Sequence, residues 1–476
     1  MLANLLSMSG VNVLKSLSQF LMTILVTRVV SPQEFGLVAF SMPFIAFVAL
    51  LTDLGLSSAL VQREKMDAQD AGAAITMMIV VGLGCATLLA VASRPLADAV
   101  DMAGLASVLA ALSASVVLSI AALGPRAILE RTLRYRLVAG VEAASVIIAS
   151  CACVLALFAG WGIWALIGYY LLSQLTRSVS FAVLARRHYH LNFQWHRVRS
   201  ILTFGGWVLA SNILNFLARN AGNLLIGAKL GAASVGLFAL SYQFMMLPLM
   251  AITWPGSGVL MATLSRSAGS ASEGQRDRLI CALFGLTAMV TFPAMIYLTF
   301  GLSYPVAAYL SPSWDAVVPL IAILAPAGAA QSIASYVGAI LLSRGDAQLQ
   351  FWVSGVNSIA MVLSFFVALP FGLIAVCQFY ALVSTVICML MVLIGARRAG
   401  LSFAALLGSL LPGFLAAALG LALVLSIGAG STVGSWLLAS LIYFGAVVAV
   451  GAAFRHRLQA HIYRLVGRFT ETVNVN

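Results

Sequence analysis

Long apolar segments alternate with short polar ones along the whole chain. Apolar runs of about 18 or more residues, bounded by charges, Gly or Pro, occur fourteen times. They cover residues 7–27, 36–60, 71–92, 104–123, 139–158, 162–184, 203–227, 235–263, 279–300, 317–342, 349–368, 373–394, 403–426 and 433–453. Because a helix needs about 20 mostly apolar residues to cross a bilayer, the pattern predicts an all-α integral membrane protein with about fourteen transmembrane helices.

The composition also indicates a membrane protein. Of the 476 residues, 62% are hydrophobic and 8% are charged, with a mean hydropathy of +1.05, whereas a soluble domain is about 25% charged. The net charge of +12 does not indicate a nucleic-acid partner, because the basic residues are scattered between apolar segments and do not cluster on one solvated face. We expect membrane lipids to surround the protein.

No sequence motif indicates a resident cofactor. The six cysteines all fall in apolar segments, which is typical of buried thiols. His188 and His190 are close in sequence, but no further metal ligands cluster nearby. The chain also has no G-x-x-x-x-G-K nucleotide-binding loop. We therefore expect no metal, no organic cofactor and no direct use of ATP.

Lys and Arg are distributed unequally over the loops. One set of alternate loops, together with the C-terminal tail, carries about twenty of them, against Arg28, Arg94 and Lys229 in the other set. Positive residues near helix ends are retained in the cytoplasm, so the distribution predicts that both termini lie in the cytoplasm. The loops on the opposite side are short, which leaves no room there for a catalytic domain, and we do not expect an enzyme.

An internal repeat relates the two halves of the chain. At an offset of 200, Asn12 matches Asn212 and Gly36 matches Gly236, among other identities. Spans 1 and 2 thus correspond to spans 7 and 8. This even displacement predicts two parallel six-helix lobes, related by an axis along the membrane normal, with substrate handled between them.

The repeat also predicts the domain limits. Residues 1–200 and 201–400 are the expected lobes, residues 401–454 hold two additional helices, and residues 455–476 form a cytoplasmic basic tail. The tail places apolar and basic side chains on different helical faces, which is typical of a helix lying in the membrane interface. A frayed basic tail is the alternative.

Polar residues inside the spans form two matching stripes. In span 1, Asn12, Lys15 and Gln19 share one helical face at spacing i, i+3, i+7. The stripe in span 7 consists of Asn212, Asn215, Arg219 and, one turn further, Asn223. A charge near the bilayer centre costs at least about 2.5 to 3.5 kcal/mol, so we expect both stripes to line a hydrated, positively charged cleft. Such a cleft favours an anionic substrate.

Other charged residues leave alternatives open. Arg28, at the outer end of span 1, extends Lys15 and Arg219 into a staggered ladder of positive charge; alternatively, Arg28 and Arg219 snorkel to the membrane surface. Asp53, inside span 2, is either a coupling site for H+ or Na+ or a partner in a structural ion pair with a cation such as Lys15.

Two further features of the spans concern surface anchoring and bending. Glu142 and Arg177 lie nearer the predicted cytoplasmic ends of spans 5 and 6, and we expect them to anchor at the membrane surface. Pro248 and Pro255 lie inside span 8, where proline removes a backbone donor and bends a helix. The pair acts either as a hinge or as two plain kinks.

Four stretches in the first half resemble a known family of transporters. They are R-V-V-S-P-Q-E-F-G at 28–36, D-L-G-L-S-S-A-L-V-Q-R at 53–63, L-E-R-T-L-R-Y-R-L at 129–137 and G-W-G-I-W-A-L at 160–166. In this order on a fourteen-span frame, they resemble the polysaccharide transporter family of the multidrug/oligosaccharidyl-lipid/polysaccharide exporter superfamily. Its Wzx-type branch, associated with colanic acid and other exopolysaccharides, is the most similar.

The resemblance implies a function that agrees with the stripes. It implies a flippase that carries a polyprenyl-diphosphate-linked oligosaccharide to the outer leaflet by alternating access, during exopolysaccharide or lipopolysaccharide biosynthesis. Partner proteins would then be other polysaccharide assembly proteins. Lys15 and Arg219 would bind the diphosphate or acidic sugars, although Lys15 offers a point charge where Arg would offer a bidentate fork. The alternatives are a drug or metabolite exporter of the same superfamily and a membrane polysaccharide polymerase.

Overall fold

A computed structural model describes residues 18–53, 56, 68–186, 195–266, 273–427 and 432–454. Every regular element in this part of the chain is helical, which confirms the all-α prediction. The α-helices are α1 (Ser18–Thr27), α2 (Pro32–Asp53), α3 (Ala68–Ala99), α4 (Leu105–Arg131), α5 (Tyr135–Phe158), α6 (Ile163–Ala185), α7 (Trp195–Pro248), α8 (Trp254–Arg266), α9 (Glu273–Gly301), α10 (Ser303–Tyr309), α11 (Val317–Ala334), α12 (Val337–Ser343), α13 (Ala347–Ala368), α14 (Leu373–Arg398), α15 (Phe403–Ile427) and α16 (Val433–Ala453). The predicted helix in the tail, 455–476, lies outside the described residues.

The described helices overlap all fourteen predicted spans. Within the described ranges, eleven stretches are long and apolar enough to cross a membrane. α6 has a similar length of 23 residues, but Gln174 and Arg177 make it more polar. A helix satisfies its backbone hydrogen bonds internally, as lipid requires, so consecutive apolar helices of this length define a multi-pass membrane protein.

Spans 7 and 8 are joined without a loop. α7 runs from Trp195 to Pro248, and Gly231 is the residue inside it that leaves helical geometry, with φ 81° and ψ 174°. Glycine adopts a positive φ without steric cost, because it has no Cβ. Residues 228–234, which the apolar pattern leaves between the two spans, are therefore mostly helical, and the chain bends sharply at one glycine.

Span 8 contains a π-helical turn between its two prolines. α7 ends at Pro248 and continues through a π-helical turn, Leu249–Thr253, into α8, whose second residue is Pro255. Proline lacks an amide hydrogen and interrupts the α-helical ladder, and a wide π turn accommodates the gap. The Ser257 hydroxyl then donates to the Ser335 carbonyl at 3.2 Å, where α11 gives way to α12. The two prolines therefore flank a π turn, and whether they act as a hinge or as two plain kinks stays a prediction.

The chain forms two compact units, residues 1–239 and 240–476, which divide within α7. In the first unit, buried apolar side chains of α3, α4 and α6 pack together, including Met78, Leu129 and Phe181. In the second, Phe284 of α9 and Ile340 of α12 belong to a core shared with α8 and α14. The predicted limits at 200 and 400 stay predictions.

The two helices beyond the six-plus-six repeat pack within the second unit. α15 approaches α9 closely, since a Cβ on Gly413 would meet the backbone of Ala288 inside van der Waals contact. From α16, the fully buried Tyr443 donates a hydrogen bond to the Pro293 carbonyl of α9 at 2.8 Å. α15 and α16, the additional pair, therefore both contact α9.

Candidate functional site

The first polar stripe is described only in part. Asn12 and Lys15 lie outside the described residues. Gln19 lies in α1 and forms a side-chain hydrogen bond with Tyr170 of α6. One predicted lining residue is thus positioned by a neighbouring helix of the first unit.

The second stripe lies on α7, before the break at Gly231. The backbone of Asn212 and Asn215 is helical, but their side chains lie outside the described part of the chain. Arg219 is exposed and Asn223 is half-buried. The stripe prediction therefore has two described members in a helical register that puts them on one side, since four residues are close to one turn.

Asn220, next to Arg219, has a different role. Its side-chain amide donates to the Phe216 carbonyl within α7 at 2.9 Å. A polar side chain that bonds back to its own helix is satisfied locally. Asn220 is thus an example of an intramembrane asparagine that needs no ligand, whereas the adjacent Arg219 presents its guanidinium outside the protein packing.

The repeat-related glycines meet in the first compact unit. A Cβ on Gly36 would collide with the carbonyl of Ala232, and a Cβ on Gly236 would collide with the carbonyl of Pro32. Pro32 and Ala232 are themselves related by the offset of 200, so the contact is reciprocal. The sequence match at Gly36 and Gly236 is therefore also a spatial contact, in which α2 and α7 approach backbone to backbone.

Aromatic side chains continue this contact along α2. The Phe40 ring lies directly on Gly227 of α7, in the volume that a Cβ would occupy. The rings of Phe47 and Phe216 lie 5.4 Å apart, centroid to centroid. Together with the glycine crossing, these contacts hold α2 against the segment of α7 that carries Arg219 and Asn223.

Arg28 and Asp53, the charged residues predicted in or near spans 1 and 2, both lie in the described part of the chain. Arg28 is exposed in the turn that follows α1. The next helix starts with a reciprocal cap, in which Ser31 donates from its backbone and hydroxyl to the Glu34 carboxylate, both at 2.9 Å. Asp53 is half-buried at the end of α2 and is not isolated from polar or charged neighbours. A pairing with Lys15 stays a prediction.

A chain of alternating charges, centred on the buried Glu142, links α4, α5 and α6. Glu142 of α5 is 6% exposed. One carboxylate oxygen lies 3.2 Å from Arg126 Nη1 of α4 and the other 3.3 Å from Arg177 Nε of α6. Arg126 also pairs with Glu130 at 2.8 Å. The four residues are balanced in charge, so the network ties three helices together without leaving a net buried charge.

Neutral partners complete the network at Arg177. Its guanidinium donates to Ser145 at 3.3 Å, to Gln174 at 3.2 Å and to Ser173 at 3.0 Å. The expectation that Glu142 and Arg177 anchor at the membrane surface is therefore wrong, since both side chains face the helix packing. The signal that was missed is that charges of both signs recur along three consecutive helices, with Arg126 and Glu130 just after span 4, Glu142 in span 5 and Arg177 in span 6.

The second unit contains a neutral counterpart that the sequence reasoning did not identify. Gln331 of α11 donates to the hydroxyl of Tyr380 at 2.9 Å and to that of Ser384 at 2.8 Å, both on α14. Tyr380 also forms a hydrogen bond with Tyr242. No group of three or more His, Cys, Asp or Glu side chains is placed to hold a metal ion anywhere in the described ranges.

The fold and these polar positions define a class of membrane transporter. The solved structure of the lipid II flippase MurJ, in an inward closed conformation, superposes with a TM-score of 0.74 over 96% of this chain and 99% of that one, at 14% identity. An inward-facing multidrug resistance MATE family transporter of the MOP superfamily gives 0.62 over 81% and 94%, also at 14% identity. The chain therefore has the MurJ/MATE type of transporter fold.

The sequence matches identify the family. The profile of the family described as "Polysaccharide biosynthesis protein" matches residues 25–319, which is more than half of the chain. This chain belongs to that family, which confirms the resemblance to the polysaccharide transporter family found in the sequence. Members of this family are transporters, and the chain is accordingly not an enzyme.

Three relatives have informative names. The lipopolysaccharide biosynthesis protein WzxC of Escherichia coli (strain K12) is 23% identical over 69% of this chain and 67% of its own length. The teichuronic acid biosynthesis protein TuaB of Bacillus subtilis (strain 168) is 26% identical over 71% of both. The succinoglycan biosynthesis transport protein ExoT of Rhizobium meliloti (strain 1021) is 26% identical over 72% and 69%.

Proposed function

We propose that this protein is a flippase that moves an oligosaccharide linked to polyprenyl diphosphate from the cytoplasmic to the outer leaflet. The observation that carries the proposal is family membership in a chain with this transporter fold. The names of its relatives refer to lipopolysaccharide, teichuronic acid and succinoglycan biosynthesis. The polar head would cross by alternating access, while the lipid tail stays in the bilayer.

The position of Arg219 supports a cationic path for the substrate. Arg219 precedes the break at Gly231 by twelve residues, which is about 18 Å along a helix. The hydrocarbon core of a bilayer is about 30 Å thick. If the break lies at one membrane surface, Arg219 is too deep to snorkel to that surface. An exposed guanidinium at this depth needs water or an anion beside it, and a diphosphate supplies the anion.

The remaining stripe residues would contact the substrate around this charge. Lys15 would supply the second cation, and Asn12, Gln19, Asn212, Asn215 and Asn223 would face the sugar hydroxyls, with Arg28 at the exit. Gln19 already shares a hydrogen bond with Tyr170, so it would position the substrate through the hydrogen bonds that its amide can still form. Asp53 would couple transport to H+ or Na+.

The membrane orientation belongs to the same proposal. The excess of Lys and Arg in alternate loops supports placement in the bacterial cytoplasmic membrane with both termini in the cytoplasm. Other polysaccharide assembly proteins would supply the lipid-linked unit on one side and polymerise it on the other.

The test measures where the lipid-linked oligosaccharide accumulates. In cells that lack this protein but keep the glycosyltransferases, the intermediate should accumulate on the cytoplasmic face. The wild-type gene should restore its appearance on the outer face. Arg219→Ala should reduce that appearance at least about tenfold, because a lost charge contact is worth roughly 1.5 to 3 kcal/mol, and Arg219→Lys should restore part of it.

A matched variant controls for the loss of any exposed arginine. Arg94 is exposed on α3 and lies outside both stripes, so Arg94→Ala should transport normally at equal membrane abundance. Normal transport by Arg219→Ala would refute its role. A normal leaflet distribution in the deletion strain, with altered polymer length alone, would refute the flippase itself and favour a polymerase.

A further inference from the structure

The turn between α4 and α5 holds a leucine in an unusual backbone conformation. Leu133 has φ 57°, and Asp101, at φ 50°, is the other non-glycine residue with positive φ in the described ranges. Asp adopts this region more readily, because its short polar side chain bonds locally. Leucine cannot form such a local hydrogen bond, so the backbone conformation does not explain why a leucine occupies position 133.

The geometry of the helix end imposes the conformation. The Leu133 amide donates to the Glu130 carbonyl at 3.0 Å, and the Arg134 amide donates to the Leu129 carbonyl at 2.9 Å. This pair of bonds is the Schellman motif, whose left-handed residue is usually glycine. α5 begins only two residues later, at Tyr135, so the turn has no room to relax. Glycine would fit at this position without strain.

Packing inside the protein does not compensate the strain. The Leu133 side chain is 69% exposed and that of Leu137 is 41% exposed. Arg134 and Arg136, between them, are exposed as well. The nearest acid, Glu130, is paired with Arg126. Residues 133–137, which we call the tip, therefore expose two apolar side chains and two guanidinium groups.

We propose that this tip is a binding site for anionic phospholipid headgroups. α4 and α5 both have the length and apolarity of membrane-spanning helices, so their connecting turn lies at a membrane surface. There, Leu133 would insert below the headgroups, as exposed apolar side chains do in the interface. Arg134 and Arg136 would bind the phosphates, which guanidinium groups recognise with paired hydrogen bonds.

The test compares thermal unfolding of the full-length protein in nanodiscs of two compositions. One contains phosphatidylcholine alone, and the other contains phosphatidylcholine with phosphatidylglycerol. The wild-type protein should unfold at a higher temperature with phosphatidylglycerol. Leu133→Gly should change the unfolding temperature by the same amount in both compositions, because neither the apolar insertion that it removes nor the backbone strain that it relieves depends on headgroup charge.

Two further variants separate the causes. The double variant Arg134→Gln/Arg136→Gln should lose most of the phosphatidylglycerol effect without gaining stability in phosphatidylcholine. Asp101→Gly, the strain-matched control, should keep the full phosphatidylglycerol effect.

The proposal is overturned if the double arginine variant keeps the wild-type difference between the two compositions. It is also overturned if phosphatidylglycerol has no effect while added polyprenyl diphosphate stabilises the protein through the same arginines, since the tip would then bind substrate lipid. Neither result depends on transport, so the flippase proposal is tested separately.

Discussion

Neutralising Glu142 is the sharpest test of the packing in the first unit. The substitution Glu142→Gln keeps the size and most of the shape of the side chain, but removes the negative charge shared by Arg126 and Arg177. The carboxylate contacts them at 3.2 and 3.3 Å, respectively. We expect the variant to fold and to be markedly less stable than the wild-type protein.

The expected loss in the free energy of unfolding depends on the partners that Arg126 and Arg177 keep in the variant. Removing one partner of a buried ion pair costs about 3 to 5 kcal/mol, because the remaining charge stays buried without compensation. Arg177, with 16% of its side chain exposed, keeps three neutral hydrogen-bond acceptors. Arg126, with 35% exposed, keeps Glu130. We therefore expect the lower end of the range, about 3 kcal/mol in the free energy of unfolding.

The assay is reversible unfolding in mixed micelles, followed by helical circular dichroism. Glu130→Gln is the matched control, because Glu130 pairs with the same Arg126 one helical turn away at a more exposed position, and it should cost about 0.5 kcal/mol. The double variant Glu142→Gln/Arg177→Gln should recover much of the loss, since both buried charges are gone. The reasoning is refuted if Glu142→Gln costs no more than Glu130→Gln. It is also refuted if the double variant loses the sum of the stabilities that Glu142→Gln and Arg177→Gln lose separately.

Two further predictions concern contacts at helix crossings. Gly36→Ala and Gly236→Ala should each destabilise the protein by about 1 to 3 kcal/mol, because the new Cβ meets backbone that cannot move away. Gly84→Ala, where the Cβ enters open space, is the control and should not destabilise it. Equal unfolding free energies for all three variants would contradict the close crossing of α2 and α7. Tyr443→Phe should cost about 1 kcal/mol through its lost hydrogen bond to α9, as measured by the same unfolding titration. Tyr309→Phe, at a side chain that is 61% exposed, is its control, and a similar small effect of both substitutions would contradict a role for the buried hydroxyl.

The helices of this protein could be predicted from sequence because lipid imposes a simple rule. A segment such as Ala347–Ala368 must be apolar over about 20 residues and helical throughout, whatever its neighbours are. An interruption between spans 7 and 8 was predicted at residues 228–234, but its form was not, because the sequence does not indicate that one left-handed glycine, Gly231, makes the whole connection. The π turn was anticipated only as a bend, since Pro248 and Pro255 indicate a missing donor but not how the chain accommodates it.

The candidate site was predicted less completely than the fold, for a geometric reason. The spacing of Gln19 or Arg219 fixes a face of its own helix, but the partner of that face depends on how neighbouring helices rotate and cross. Tyr170 beside Gln19 and the two arginines around Glu142 are such partners. The match of Gly36 with Gly236 was read as evidence of a repeat, and nothing in the two sequences requires the matched residues to touch.

That reciprocal contact has the geometry of an isologous dimer interface contained in one chain. In a two-fold dimer, residue i of one subunit meets residue j of the other, and j meets i in return. Gly36 on Ala232 and Gly236 on Pro32 follow this rule through the offset of 200. A half-length protein with one such glycine would use it on both sides of a homodimer at once. In the single chain, Gly36 and Gly236 can mutate separately. A side chain tolerated at one of the two positions but not at the other would show that the two repeats are no longer equivalent.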